Sequence, residues 1–210
     1  MLRKNGTLMD MTSESRSSPI IWNRPDAPAF AVARTEAERQ RLKRAAQAGH
    51  CERADRGLYL INANRYSTFH EFAAIAARRS ETVICLESAA AFHGLTTAPP
   101  SPIQIGIPRR AHPPRWSWPA VEAVTLNLNP DIDGIDTHEI EGIPVKITSA
   151  ARTVAECLAY PKIVTPHSFQ EIIWTMWRKK SVDISQIHTF AKHLGVDENM
   201  SLYLSTLQGP

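Results

Sequence analysis

Apolar residues recur at helical spacing between Ser67 and Leu95, the stretch with the clearest pattern in the chain. The positions three or four residues apart are Phe69, Phe72, Ala73, Ala76 and Ala77. This spacing puts them on one face of a helix, which Ser67 and Thr68 can cap. Residues 82–86 form a short, partly β-branched apolar run that predicts one buried strand. Residues 87–93 are rich in alanine and predict a second helix that ends at Gly94.

A capping-box pattern predicts another helix before this stretch. Thr35 is followed three residues later by Glu38, and the helix is expected to continue to Gly49. The next residues, HCERADRGLYLI, predict two strands joined by a turn at residues 55–57. A basic helix followed at once by a basic-tipped hairpin is how a winged helix-turn-helix presents its recognition helix and wing.

Strands and then helices are expected after Leu95. The strands are expected at 102–107, at 121–128 and on either side of Glu141-Gly142. The first of them should alternate between two faces. Ser149 caps a helix that ends before Pro161, and three more helices are expected near 166–179, 183–193 and 197–207. This order indicates an α+β fold.

The chain is expected to have three parts. Residues 1–33 contain Ser and Pro without a sustained period, which predicts a flexible N-terminal arm. Residues 34–66 form the winged helix-turn-helix-like region. Residues 67–210 form a larger α+β domain with C-terminal helices.

Composition narrows the class of protein. Hydrophobic residues make up 43% of the 210 residues and charged residues 21%, which is typical of a globular protein. No apolar run approaches the roughly 20 residues that cross a bilayer, and the N-terminus lacks the apolar core of a secretory signal. Three cysteines without CxxC spacing indicate reduced thiols, so we expect a cytoplasmic protein with no membrane partner. The eight histidines lack paired metal-site spacing, and we expect no metal and no cofactor.

Positive charge is concentrated in part of the chain. The net charge is +3, and the segment 34–58 alone contains seven basic and four acidic residues. A second basic segment holds Arg109, Arg110 and Arg115 without any acidic residue, whereas the segment 122–141 is acidic. The chain is therefore polarised, and its basic segments are candidates for nucleic-acid contact.

Several runs, in a specific order along the chain, resemble the abortive-infection E antitoxin (AbiEi) family. They are GLYLI after the basic helix, VICLESAAAFHGL, IQIGIPRR and EIEGIPVKITSAARTVAECLAY. The similarity covers residues 34–207. It implies a bacterial transcriptional autoregulator that is the antitoxin of a type IV toxin–antitoxin system. It further implies that the N-terminal region binds double-stranded DNA of the protein's own promoter. The C-terminal domain would counteract a nucleotidyltransferase-like toxin without forming a stable complex with it.

This chain departs from the family pattern in two places. The family usually has two or more helices before its recognition helix, and here Pro19, Pro25 and Pro28 occupy most of that space. A trimmed helix-turn-helix leads to an alternative hypothesis: a protein-interaction or effector module of the same fold that does not bind a specific DNA sequence. The family's usual Asp after ARTVA is Glu156 here, a conservative change.

Six basic residues of the helix and hairpin are the candidates for DNA contact. They are Arg39, Arg41, Lys43, Arg44, Arg53 and Arg56. The helix residues are expected to share one exposed side, with Leu42, Ala45 and Ala46 facing inward, and to approach base edges and phosphates. The hairpin arginines would contact the DNA backbone. The alternative is a solvated helix face with no ligand.

The loop after the strand at 102–107 is a candidate second surface for nucleic acid or for a partner. Arg109, Arg110 and Arg115 alternate there with Trp116 and Trp118, which could add stacking to charge. The alternative is a proline-stiffened loop whose tryptophans pack on the domain.

Three other groups of residues have a structural and a functional interpretation. Arg152 and Glu156 are four apart on a helix, which favours a buried structural pair over a role in antitoxin action. His93 is expected at the edge of the core. Ile173, Trp174 and Trp177 have the spacing of a packing stripe, which would mark a partner surface if it were exposed.

Acidic residues allow a third hypothesis, a metal-dependent nuclease. The residues concerned are Asp131, Asp133, Glu139 and Glu141, together with Lys146. Converging carboxylates can hold the metal ions of a nuclease. Glu141 and Lys146 are separated by a Gly-Ile-Pro break and need not share a face, and turns rich in Asp and Gly are the usual explanation. We therefore expect no catalytic residue and no enzymatic activity.

Overall fold

The structure is a computed structural model that describes residues 27–97, 100–126 and 134–207. These residues form eight strands and seven α-helices. The strands are β1 Phe30–Val32, β2 Glu52–Asp55, β3 Leu58–Leu60, β4 Val83–Ile84, β5 Ile103–Ile107, β6 Val121–Thr125, β7 Ile135–Ile140 and β8 Ile143–Thr148. The helices are α1 Glu36–Gln47, α2 His70–Arg78, α3 Leu86–Phe92, α4 Ala150–Ala159, α5 Pro166–Lys179, α6 Ile184–Leu194 and α7 Asp197–Leu207. The predicted α+β class is confirmed.

The strands form two sheets. The smaller sheet is antiparallel and has the order β1-β3-β2. The larger sheet has the order β6-β5-β4-β8-β7 and is mixed: the pairs β5–β6 and β4–β8 are parallel, and the pairs β4–β5 and β7–β8 are antiparallel. Its β7–β8 hairpin turns at Glu141 and Gly142, which have φ angles of 56° and 74°. Two consecutive residues with positive φ match the right-handed twist of a tight hairpin.

The small sheet is a layer between α1 and the rest of the protein. Alternate residues of β3 point to opposite faces, so Tyr59 packs against Leu42 of α1, whereas Leu58 joins the cluster that contains Phe72 and Ile75 of α2. Phe30 of β1 belongs to that second cluster as well. The helix–hairpin region is therefore continuous with the main core through this sheet.

The prediction that residues 1–33 form a flexible arm is wrong for its last residues. Residues 1–26 lie outside the described part of the chain. Phe30–Val32 form β1 and pair with β3, and the backbone N–H of Ala29 donates to the carbonyl of Glu141 at 2.9 Å. Apolar Ala29 and Phe30 are buried, which offsets the entropy of ordering this segment.

Two predicted local features differ in the structure. The helix expected to be capped by Ser67 and Thr68 begins only at His70, and Phe69 is its N-cap residue without a side-chain cap. Strand β5 does not alternate between buried and exposed residues, because all five of its residues are buried. It is an inner strand of the sheet: Ile105 belongs to the cluster that also contains Phe72 and Ile75 of α2, while the Gln104 side chain accepts the backbone N–H of Glu87 on α3.

Candidate nucleic-acid interface

Helix α1 is held by its own capping box and by a small apolar face. The hydroxyl of Thr35 accepts the N–H of Glu38 at 3.2 Å, and the Glu38 carboxylate accepts the N–H of Thr35 at 2.9 Å. Leu42 and Ala45 are buried against the small sheet. The four basic residues of α1 are exposed, as the apolar spacing predicts.

The β2–β3 hairpin places two arginines beside α1. Gly57 adopts a φ of 76°, which a side chain would strain, and it lets the chain reverse at Asp55–Leu58. Arg53 and Arg56 are exposed on this hairpin. The predicted turn at residues 55–57 is confirmed.

One cleft joins the helix to the hairpin. It has a volume of about 570 Å³ and is lined by Arg39 and Lys43 from α1 and by Arg53 and Arg56 from the hairpin. We call it the helix–hairpin cleft. No acidic side chain is among its lining residues, whereas the amides of Gln40 and Gln47 are. The cleft therefore combines positive charge with hydrogen-bonding groups that can contact phosphates and base edges.

The other two predicted DNA-contact residues of α1 lie outside this cleft. Helical residues are about 100° apart, so Arg39 and Lys43 lie one turn apart, while Arg41 is roughly 160° around the helix from Arg39. Arg41 and Arg44 are exposed but are not among the lining residues. All four basic residues of α1 are exposed, as predicted, but they do not share one side of the helix.

Glu36, the first residue of α1, partly neutralises the positive charge of Arg39 in this cleft. It forms an ion pair with Arg39, and its carboxylate accepts the side-chain amide of Gln40 at 2.9 Å. Both members of the ion pair are more than half exposed, at 56% and 63% of their side-chain area. Exposed pairs of this kind contribute little stability, so a phosphate can compete for Arg39.

The loop after β5 divides into residues that face a second cleft and residues that do not. Arg115 and Trp116 line a cleft of about 450 Å³ together with Arg39, Arg56 and Arg78. We call it the arginine cleft. Arg109 and Arg110 are exposed and are not among its lining residues. Trp118 packs on Phe30 with ring centroids 6.0 Å apart, as the alternative packing interpretation of this loop predicts.

Arg78 is the basic residue of the arginine cleft that the sequence did not mark as a candidate for ligand contact. Its Nη2 donates to the Asp55 carboxylate at 2.6 Å, and its guanidinium lies 5.1 Å from the centroid of the Trp116 ring. Burial opposes ionisation of Asp55, but N–H groups of Arg56 and Trp118 and the Arg78 cation together hold its pKa below the usual value. The partners are far apart along the chain, so no local pattern announces this contact.

Arg152 and Glu156 form the buried pair that their spacing favours. Arg152 Nε donates to Glu156 Oε1 at 2.8 Å, and only 2% and 1% of the two side chains is exposed. Burial raises the pKa of Glu156, although the Arg152 cation opposes this shift. The second carboxylate oxygen of Glu156 is buried without a hydrogen-bond partner. The pair lies inside the helical core and has no surface on which to bind a ligand.

The acidic residues of the nuclease hypothesis are not assembled in the described structure. Asp131 and Asp133 lie outside the described residues. The Glu141 carboxylate accepts the N–H of Ser67 at 2.6 Å and lies 2.7 Å from His70 Nδ1. Glu139 is 77% exposed on its side chain. Within residues 27–97, 100–126 and 134–207, no three His, Cys, Asp or Glu side chains are placed to hold a metal ion.

The other candidate residues, His93 and the apolar residues of α5, differ in how exposed they are. His93 Nε2 lies 2.7 Å from the carbonyl of Thr148, and burial lowers the pKa of this histidine, as suits a core-edge residue. On α5, Ile173 is buried and Trp177 is half-buried, whereas Trp174 is 58% exposed.

None of the described helices is both long enough and apolar enough to span a membrane.

Comparisons with protein-family models and with curated proteins returned no match for this chain.

Proposed function

We propose that this protein is a DNA-binding transcriptional regulator that contacts double-stranded DNA through α1 and the β2–β3 hairpin. One observation carries the proposal: Arg39, Lys43, Arg53 and Arg56 come from two separate elements and line one cleft without an acidic neighbour among its lining residues. A helix beside an arginine-bearing hairpin suits one element to a groove and the other to the backbone.

The resemblance to the AbiEi family extends the proposal to a biological role. The DNA would be the promoter of the protein's own operon, and the protein would be the cytoplasmic antitoxin of a nucleotidyltransferase-like toxin that it does not bind stably. Arg152 lies in one of the runs that carry the resemblance, and it is buried against Glu156, which stands where the family usually has Asp. We assign that pair a structural role in this antitoxin domain.

Binding to DNA from upstream of the protein's own gene, compared with scrambled DNA across a salt series, tests the DNA contact. We expect the upstream DNA to be preferred. The variant Arg39→Ala/Lys43→Ala should weaken binding about tenfold or more and lower the slope of log K against log salt by about one to two.

The matched control is Arg41→Ala/Arg44→Ala. It removes the same charge from the same helix but outside the cleft, so it should cost clearly less affinity. Equal losses in the two variants would mean that general charge, not the helix–hairpin cleft, binds the DNA. Weak binding without sequence preference that vanishes by about 0.2 M salt would overturn the regulator proposal.

The exposure of Trp174 supports a second candidate function, a protein-interaction module. Trp174 is 58% exposed on α5, and the neighbouring residues Met176 and Trp177 line an apolar cleft of about 420 Å³. Exposed tryptophans are frequent at protein interfaces. Toxin co-expression separates the two roles: growth rescue that survives Arg39→Ala/Lys43→Ala but is lost in Trp174→Ala would support the interaction module. The opposite pattern would contradict it.

A further inference from the structure

The arginine cleft brings together four cations from four segments of the chain. Arg39 comes from α1, Arg56 from the hairpin turn, Arg78 from the end of α2 and Arg115 from the loop before β6. The same lining contains one acidic residue, Asp55, and one aromatic ring, Trp116.

The one acidic residue is already neutralised. Asp55 forms its ion pair with Arg78, and both side chains are largely buried, at 11% and 10% exposure. Within the described residues, neither Arg56 nor Arg115 forms an ion pair, and the ion pair of Arg39 with Glu36 is exposed. The cleft therefore keeps an excess of positive charge that no described side chain offsets.

Arg78 gives this cleft a buried, pre-positioned guanidinium. It is oriented by Asp55 on one side and by the Trp116 ring on the other. Its Nε is buried and has no hydrogen-bond partner in the described structure. Because this Nε has almost no accessible surface, the groups that a ligand can contact are the exposed arginines of the same lining, Arg39, Arg56 and Arg115, and Arg78 adds its charge beside them. Arginine's planar fork matches phosphate oxygens, which makes phosphate the best-fitting ligand.

The size and the position of the cleft also fit a phosphate ester. A volume of about 450 Å³ lies in the range of small-molecule sites, and Trp116 offers an apolar surface beside the charges. Arg39, Arg56 and Gly57 line both this cleft and the helix–hairpin cleft, so the two meet at the hairpin turn. A ligand here would share two arginines with the proposed DNA contact.

We propose that the arginine cleft is a second phosphate-binding site, distinct from the helix–hairpin cleft. The phosphate can belong to a free nucleotide, which would compete with DNA for Arg39 and Arg56, or to the backbone of DNA that continues past the hairpin. The second source, but not the first, rests on the proposed DNA-binding function.

Arg115→Ala and Arg110→Ala form the test pair. Both remove one exposed arginine from the same loop, but only Arg115 lines the cleft. Neither side chain is buried, so both variants should stay folded, which thermal unfolding checks. A difference between them therefore reports on the cleft and not on net charge.

The first arm titrates adenosine monophosphate and follows the indole N–H resonance of Trp116, assigned with Trp116→Phe. Saturable shifts in the wild type and in Arg110→Ala, with affinity about tenfold weaker in Arg115→Ala, are expected if the cleft holds a free nucleotide. Adenosine monophosphate should then also lower DNA affinity.

The second arm compares a short upstream duplex with one extended by about one helical turn at each end. If the cleft holds backbone phosphate, Arg115→Ala should lose affinity and salt dependence on the extended duplex only, and Arg110→Ala on neither. If Arg115→Ala and Arg110→Ala have the same nucleotide affinity and the same DNA affinity, the second site is wrong. The proposed DNA contact at the helix–hairpin cleft is not affected by that result. A wild type that does not prefer upstream DNA overturns the proposed function, while the nucleotide arm still decides this site.

Discussion

Two glutamates of one hairpin show how position sets the role of a residue. Glu139 lies on β7 with 77% of its side chain exposed, near Arg65 at 3.9 Å. Glu141, two residues later, is buried with its carboxylate between His70 and the N–H of Ser67. It joins the hairpin turn to the start of α2, and its carbonyl also accepts the N–H of Ala29. The Glu141 carboxylate, one of the candidate metal ligands of the nuclease hypothesis, connects two parts of the fold.

Glu141→Ala should therefore destabilise the protein by roughly 2 kcal/mol, because leaving a buried polar group without its hydrogen-bond partner costs about 1–3 kcal/mol. The variant removes the hydrogen-bond partner of the buried His70 ring and the acceptor of the Ser67 N–H. Urea denaturation of both proteins measures the difference in the free energy of unfolding.

Glu139→Ala is the control, because an exposed pair should change stability by less than about 1 kcal/mol. Similar losses in the two variants would show that the Glu141 carboxylate is not the connector described here.

At the scale of elements, α1 and α2 differ in how they begin. Thr35 closes a reciprocal capping box at the start of α1. Thr68 precedes α2 and is exposed, but Phe69 is the N-cap of that helix. The Ser67 hydroxyl accepts the N–H of Phe69, and the Ser67 N–H is bound by Glu141. The N–H groups of the first turn of α2 therefore have no side-chain cap, and Glu141 instead fixes the backbone of Ser67 just before the helix.

Thr35→Ala should cost about 1 kcal/mol of stability, the typical loss on removing a threonine cap. Thr68→Ala should stay within about 0.5 kcal/mol of the wild type, because its side chain caps nothing. Thermal or urea unfolding of the two variants provides the comparison. A larger loss for Thr68→Ala than for Thr35→Ala would contradict the helix starts described here.

At the scale of the whole molecule, the small sheet joins the candidate DNA-binding elements to the main core. One face packs on α1 and the other on α2, and Asp55 and Arg78 join the hairpin to the end of α2. The elements that form the helix–hairpin cleft are therefore packed against the main core and are not joined to it by a linker alone. Such a rigid mounting suits recognition of a fixed groove geometry.

The three cysteines test this packing. Cys85 and Cys157 are buried in the helical core, where burial raises the pKa of both thiols well above the usual value, and Cys51 is half-buried beside α1. Reaction with a thiol reagent needs an accessible thiolate. We expect one thiol to react slowly in the native protein, identified by its loss in Cys51→Ser, and the other two only on unfolding. Rapid labelling of Cys85 or Cys157 in the native protein would contradict their burial in the core.

Local patterns were enough to predict most of the elements and the exposure of the six basic residues. Capping at Thr35 and Ser149, the glycine turn at Gly57 and the helical spacing of α4 to α7 depend on neighbours in the chain, which the sequence displays directly. The same holds for the pair of Arg152 and Glu156, which are four residues apart on one helix. The α+β class followed from the order of these elements.

Only the tertiary structure decided which charges act together. Arg39 and Lys43 share a cleft with Arg53 and Arg56 because β3 pairs with β1 and seats α1 beside the hairpin, and Arg41 and Arg44 fall outside it. Arg78 and Arg115 meet Arg39 and Arg56 from distant segments. Periodicity reports whether a side chain is exposed, but not what lies opposite it, because that depends on contacts between residues far apart in the chain. The sequence by itself determined the elements and their charges; the fold determined the clefts.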